Sequence, residues 1–314
     1  VTGPASPSDE ARTPTAGGFV AASLRELDRA VRETAPRVLR GEGTSEAIDE
    51  DAVHDLRVAI RRLRTLLKMS RGLVGRWHAD VVRSAFRAVM RATGDLRDEE
   101  VLEETLGAVA EGPELKGWLD ARRAREAELR RAVVERIRRG DLERAHRLLD
   151  ALLAFPVDPR CDVELGRFAR RILARARREV ARKQEADVED VTGMHELRIA
   201  CKELRYSIEL LAEALTDPHE AAPGESSRRG LPAGPREELE RATLLQKRLG
   251  ELHDVDVAIE VVRDAKALSR RAREQAGTAL EALRERRAAK YLRALDPPGG
   301  GPDPAAGGHA ETSS

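Results

Sequence analysis

Aromatic side chains make up only 3% of this 314-residue chain: two Trp, two Tyr and four Phe. Base-stacking platforms are therefore scarce, and the aromatic enrichment of sheet proteins is missing. Cysteine is nearly absent, and Cys161 and Cys201 can build neither a disulfide framework nor a metal-ligand cluster. No run of roughly 18 apolar residues occurs, so nothing reads as a membrane span. The opening VTGPASPSDEARTPTAGG lacks the basic-then-apolar plan of a secretory signal, and the expected location is the cytoplasm. Net charge is lacking as well, with 56 basic side chains balancing 56 acidic ones. That balance argues against a polyanion binder acting through its overall field, but not against one that gathers positive charge into a groove.

What is present is helix-forming material. Hydrophobic residues account for 41% and charged residues for 36%, with Ala, Leu, Arg and Glu dominant. This is the composition of an all-α protein. The basic residues are 49 Arg against 7 Lys, and Arg offers a planar fork suited to phosphate oxygens. GC-rich coding also produces such an excess. Pro, Gly and Ser mark residues 1–17 and 297–314 as disordered tails and 217–235 as a long surface loop. Helical periodicity is expected near 19–41, 50–71, 75–93, 96–110, 114–139, 141–154, 163–187, 190–216, 235–250 and 253–293. A Pro-containing connection at 155–162 splits the ordered region, 18–296, into halves spanning 18–157 and 158–296.

The halves share motifs. HDLRVAIRRLR at 54–64 recurs as HELRIACKELR at 195–205, and GDLRDEEV at 94–101 recurs as GELHDVDV at 250–257. Two motifs repeated in the same order indicate two similar halves, each roughly a four-helix bundle, related by an approximate twofold. At about 100° per residue, His54, Arg57, Arg61, Arg64 and Lys68 share one helical sector, beside an apolar stripe of Leu56, Ile60, Leu63 and Leu67. In the second copy His195, Arg198, Lys202 and Arg205 flank Leu197, Cys201, Leu204 and Ile208. A solvated charged face normally lies opposite the apolar stripe and mixes signs. These stripes flank it, which places like charges at a seam between helices, where an anion would relieve their repulsion. Lys68 is matched by Glu209, so the end of the first stripe is not repeated.

These motifs resemble those of the CHAD (conserved histidine α-helical domain) family, over about residues 19–295. The resemblance implies two helical halves around a central basic cavity, non-catalytic binding of inorganic polyphosphate, and association with polyphosphate granules and their proteins in bacteria or archaea. Carried over by motif position, the binding residues are His54, Arg57, Arg61 and Arg64, with His195, Arg198, Lys202 and Arg205. Arg91 and Lys247, each three residues before a second-motif Gly, would add to the same surface, as would Arg97 and its counterpart His253. Asp98 and Asp254 each follow a Gly-containing break and are expected at helix starts, or paired with Arg. Family members are often joined to a triphosphate-tunnel domain, for which no strand-rich segment exists here.

No catalytic residue, cofactor or metal is expected. A metal-dependent phosphohydrolase is suggested by the dipeptides His54-Asp55 and His253-Asp254, but the repeat keeps neither pair as a unit. Nucleic acid would be bound only non-specifically, through its backbone, and a helical scaffold without ligand is the blandest alternative. The histidines, with a reference pKa near 6.5, predict tighter polyanion binding at pH 6 than at pH 8.

Overall fold

The structure, a computed structural model, describes residues 15–40, 51–109, 111–155, 163–215 and 233–295. Cys161, the C-terminal tail and nearly all of the 217–235 loop lie outside the described residues. The described part is all-α; apart from one isolated bridge between Thr15 and Glu164, its regular structure is helical. In chain order the helices are α1 (Ala16–Leu39), α2 (Ala52–Met69), α3 (Arg71–Val74), α4 (Arg76–Ala92), α5 (Gly94–Gly107) and α6 (Pro113–Arg138). They continue with α7 (Asp141–Ala154), α8 (Leu165–Lys183), α9 (Val191–Leu210), α10 (Ala212–Leu215), α11 (Ala233–Arg263) and α12 (Arg270–Leu295).

Local chemistry sets the helix starts. Thr15, inside the stretch read as tail, caps α1 by accepting from the Gly18 amide at 3.2 Å, and Asp190 caps α9 by accepting from the Gly193 amide at 3.0 Å. Gly75 precedes α4 with φ +87°, a left-handed conformation that side chains disfavour. The apolar stripes of α2 and α9 are buried: Leu56, Ile60, Leu63 and Leu67 are fully enclosed, and Leu197, Cys201, Leu204 and Ile208 nearly so. Burial of each such side chain contributes roughly 2 kcal/mol. With these faces inward, α2 packs on α1, α4 and α9, while α9 packs on α8 and α11. α11 also packs on α5 and α12, so α2, α5, α9 and α11 frame a common space.

One expected boundary is absent. The chain does not break between 250 and 253: α11 runs unbroken from Ala233 to Arg263, and the turn comes afterwards, before α12. Leu245, Leu249, Leu252, Val255, Ala258 and Val262 form one continuous buried stripe, and its packing outweighs the roughly 1 kcal/mol that a mid-helix glycine costs. Asp254 therefore sits in a helix interior rather than at a helix start. The first copy does break, between α4 and α5 at Thr93 and Gly94.

Candidate functional site

The Thr93 break is closed by a side chain from another helix. Arg57 of α2 donates through Nη1 to the Met90 carbonyl at 3.2 Å and to the Thr93 hydroxyl at 2.8 Å. The Met90 carbonyl is the acceptor that an uninterrupted helix would give to the Gly94 amide. In the second copy, where α11 is continuous, no such carbonyl is freed.

Beside this joint lies a pocket of about 420 Å³. α2 supplies His54, Arg57, Val58 and Arg61; α5 supplies Arg97, Asp98, Val101 and Leu102. α9 contributes Arg198 and Lys202, and α11 contributes Gln246, Gly250, His253, Asp254 and Val257. Four arginines and a lysine (Arg57, Arg61, Arg97, Arg198, Lys202) thus face two carboxylates. Among the described residues, Arg61, Arg198 and Lys202 have no carboxylate at salt-bridge distance, and the Arg198 Nε is buried without a hydrogen-bond partner. Arg61 reaches the Tyr206 hydroxyl at 3.4 Å, and Arg97 is held by Glu100 at 3.2 Å.

Crowding of like charge appears in the acidities. Burial, then Arg61, Arg198, Arg57 and Arg205, push the Lys202 ammonium down to about 7. Burial, and next the Arg61 charge, take Arg57 down to about 10, and Arg198 is lowered by burial although Asp254 opposes it. Burial raises Asp254 to about 6, against the pull of Arg198, and raises Asp98 as well. His195 and His253 lie against each other, Nδ1 to Nδ1 at 3.4 Å. Burial and neighbouring cations lower both, His253 to about 4.

Of the thirteen residues expected at the site, the structure brings His54, Arg57, Arg61, Arg97, Arg198, Lys202 and His253 to the pocket wall. His195 stands behind His253. Arg64 is one helical turn beyond Arg61, close to Arg83 and Arg87. Lys68 bonds Glu203 at 2.6 Å, and Arg205 lies over the Tyr206 ring with Glu209 at 3.6 Å. Arg91 and Lys247 are exposed and outside the lining. The acids that follow the first-motif histidines turn away from the pocket: Asp55 pairs with Arg37 and Glu196 with Lys183.

Three wall residues were singled out in the sequence without being placed in the site. Asp98 and Asp254 enter the pocket as carboxylates facing Arg57 and Arg198; their recurrence in both motif copies was the available signal. Gly250, read as a helix breaker, is a gap in the α11 wall, since a Cβ built there meets nothing within 4 Å. Among the described residues no group of three or more His, Cys, Asp or Glu side chains is placed to hold a metal ion, and no helix is long and apolar enough to cross a membrane.

A helical fold with a cation-lined pocket is the class these observations define. The chain matches the CHAD domain model over residues 21–224, more than half its length, and belongs to the CHAD domain family. Its fold is similar to the crystal structure of the CHAD domain from the plant Ricinus communis, with a TM-score of 0.60 at 19% identity, covering 91% of this chain and 89% of that one. It is similar also to PptA from Streptomyces chartreusis, with a TM-score of 0.64 at 14% identity, covering 90% and 99% of the two chains. Curated proteins offer no match.

Proposed function

We propose that this protein binds inorganic polyphosphate, without transforming it, in the pocket framed by α2, α5, α9 and α11. The observation that carries this reading is the set of cations turned inward with two carboxylates to face them, crowded enough to bring Lys202 to about 7. Such an arrangement opposes folding unless an anion occupies it. Polyphosphate presents a repeating negative charge and no bases to read, which suits a site with many cationic donors and no aromatic lining. The Arg forks would grip non-bridging oxygens. In this reading the repeated motifs mark two halves related by an approximate twofold, and binding associates the protein with polyphosphate granules.

Titration with long-chain polyphosphate tests the reading. Saturable binding that weakens steeply with added salt is expected, by analogy with counterion release from nucleic acid. Polyphosphate should displace a labelled RNA or duplex DNA far more readily than either displaces polyphosphate. Equal competition would make the site a general phosphate-backbone binder, and release of orthophosphate on incubation would make the protein an enzyme.

The pH dependence is expected to run through Lys202 rather than His195 or His253. In the free protein His195 and His253 are held below their ordinary range, whereas the Lys202 ammonium loses its proton near pH 7. A bound polyanion raises that pKa, so a proton is taken up on binding between the free and bound values, and affinity falls as pH climbs past 7. A drop of about tenfold from pH 6 to pH 8 follows if one such proton is coupled. Lys202→Arg, which keeps its charge throughout, should flatten the profile. A variant that retains the full pH dependence would return the effect to another group, with Asp254, at about 6, the next to examine.

A further inference from the structure

A pocket of about 420 Å³ is of small-molecule size, so a long polyphosphate chain that enters it must also leave it. The α2 stripe continues past the pocket. Arg64 lies three residues beyond Arg61, about 4.5 Å further along the helix axis. There it meets α4 rather than the pocket, and the charges of Arg83 and Arg87 act on it more strongly than that of Arg61. The Nε atoms of Arg64 and Arg83 are buried without a hydrogen-bond partner. Arg87 is exposed, and among the described residues neither it nor Arg64 has a carboxylate at salt-bridge distance. The acid nearby is Asp80, which Arg83 must share with Arg71.

The repeat supplies the comparison. Counting back from Gly250 as from Gly94, the counterparts of Arg83 and Arg87 on α11 are Leu239, which is buried, and Thr243. The counterpart of Arg64 is Arg205, whose guanidinium lies 4.6 Å from the Tyr206 ring centre and 3.6 Å from Glu209. Glu203 takes up Lys68. The first copy therefore extends the pocket with arginines, and the second copy closes the equivalent positions with apolar, aromatic and acidic groups.

Building on the pocket reading, we infer that bound polyphosphate leaves the pocket over one copy only, along a ledge made by Arg64 of α2 and Arg83 and Arg87 of α4. The ledge makes the protein selective for chains longer than the pocket can hold. Each ledge arginine contacts phosphoryl units that a short oligomer does not have, so chain length is read by charge placed outside the pocket.

The test compares tripolyphosphate with long-chain polyphosphate at fixed low salt, for the native protein, Arg64→Gln/Arg87→Gln, and Arg286→Gln, an exposed α12 arginine changed as a control. The ledge variant should lose about tenfold or more in long-chain affinity, show a shallower salt slope, and bind tripolyphosphate within about threefold of native. Arg87→Glu, at an exposed position that leaves packing untouched, should show the same selectivity with folding unchanged. Equal losses for both ligands, an unchanged long-chain affinity, or an equal loss in Arg286→Gln overturns the ledge. Native protein that binds tripolyphosphate as tightly per molecule as the long chain overturns it too, with the pocket reading intact. Native protein that binds neither ligand overturns the pocket reading, and the ledge with it.

Discussion

Replacing Arg61 and Arg198 together by glutamine is expected to weaken polyphosphate binding by about a hundredfold at low salt. In the proposed site each would provide a charge-assisted contact to phosphate worth about 1.5 kcal/mol or more, and 1.4 kcal/mol is a factor of ten. These two are chosen because neither is spent on a carboxylate and neither holds the backbone together. Arg57 would confound the result, since its guanidinium also closes the α4–α5 joint. Glutamine removes charge without adding the opposite sign beside Asp254. The same change relieves repulsion in the empty pocket, so thermal stability should be at least native. Lys202 loses two of the charges that depress it, and the pH above which affinity falls should move upward. A stable variant that binds within about threefold of native would remove both arginines from the contact.

The second large effect concerns stability. Asp28 of α1 is buried, receives Arg32 Nε at 2.7 Å, and lies 2.5 Å from His146 Nδ1 of α7. His146 packs edge-on to Phe86, and Arg32 continues to Asp150 at 3.1 Å, so one carboxylate clamps α1 to α7. Burial pushes the Asp28 carboxyl up, but the bonds to His146 and Arg32 outweigh it and hold it below the usual carboxylate range. Asp28→Ala leaves the His146 ring without its partner and should cost about 3–5 kcal/mol in denaturant unfolding at pH 7. Since the folded pKa is depressed, this contribution is present above the unfolded carboxylate value and is lost as pH falls through the lower folded one. The native–variant difference should therefore shrink only below about pH 4. Asp28→Leu/His146→Phe, which replaces both partners with apolar groups, should recover most of the loss. Failure to recover would mean that shape rather than charge pairing dominates there.

Much of the architecture was legible because it is written in helical period. The stripes of α2 and α9 show which side of each helix is buried, and the repeated motifs pointed to two helices carrying matched cations. Two things were not legible, for one reason: helical angle gives direction, not what arrives from across the gap. Arg57, Arg61 and Lys68 share a stripe yet meet a freed carbonyl, a tyrosine hydroxyl and a glutamate, according to the neighbouring helix at each level. The second is Gly250. A glycine in a charged stretch signals a break, and only the buried stripe running through it from Leu245 to Val262 shows that tertiary packing overrode the local preference. The same gap hid Asp254, whose depth in the pocket depends on α11 passing straight by.

Arg57 links adhesion to architecture. Its fork has a fixed number of hydrogens, and those turned toward Met90 and Thr93 are not free for a guest, so a phosphate that pulls the group inward competes with the hinge it braces. In the proposed function, occupancy and the set of α5 against α4 would thereby be joined through a single guanidinium.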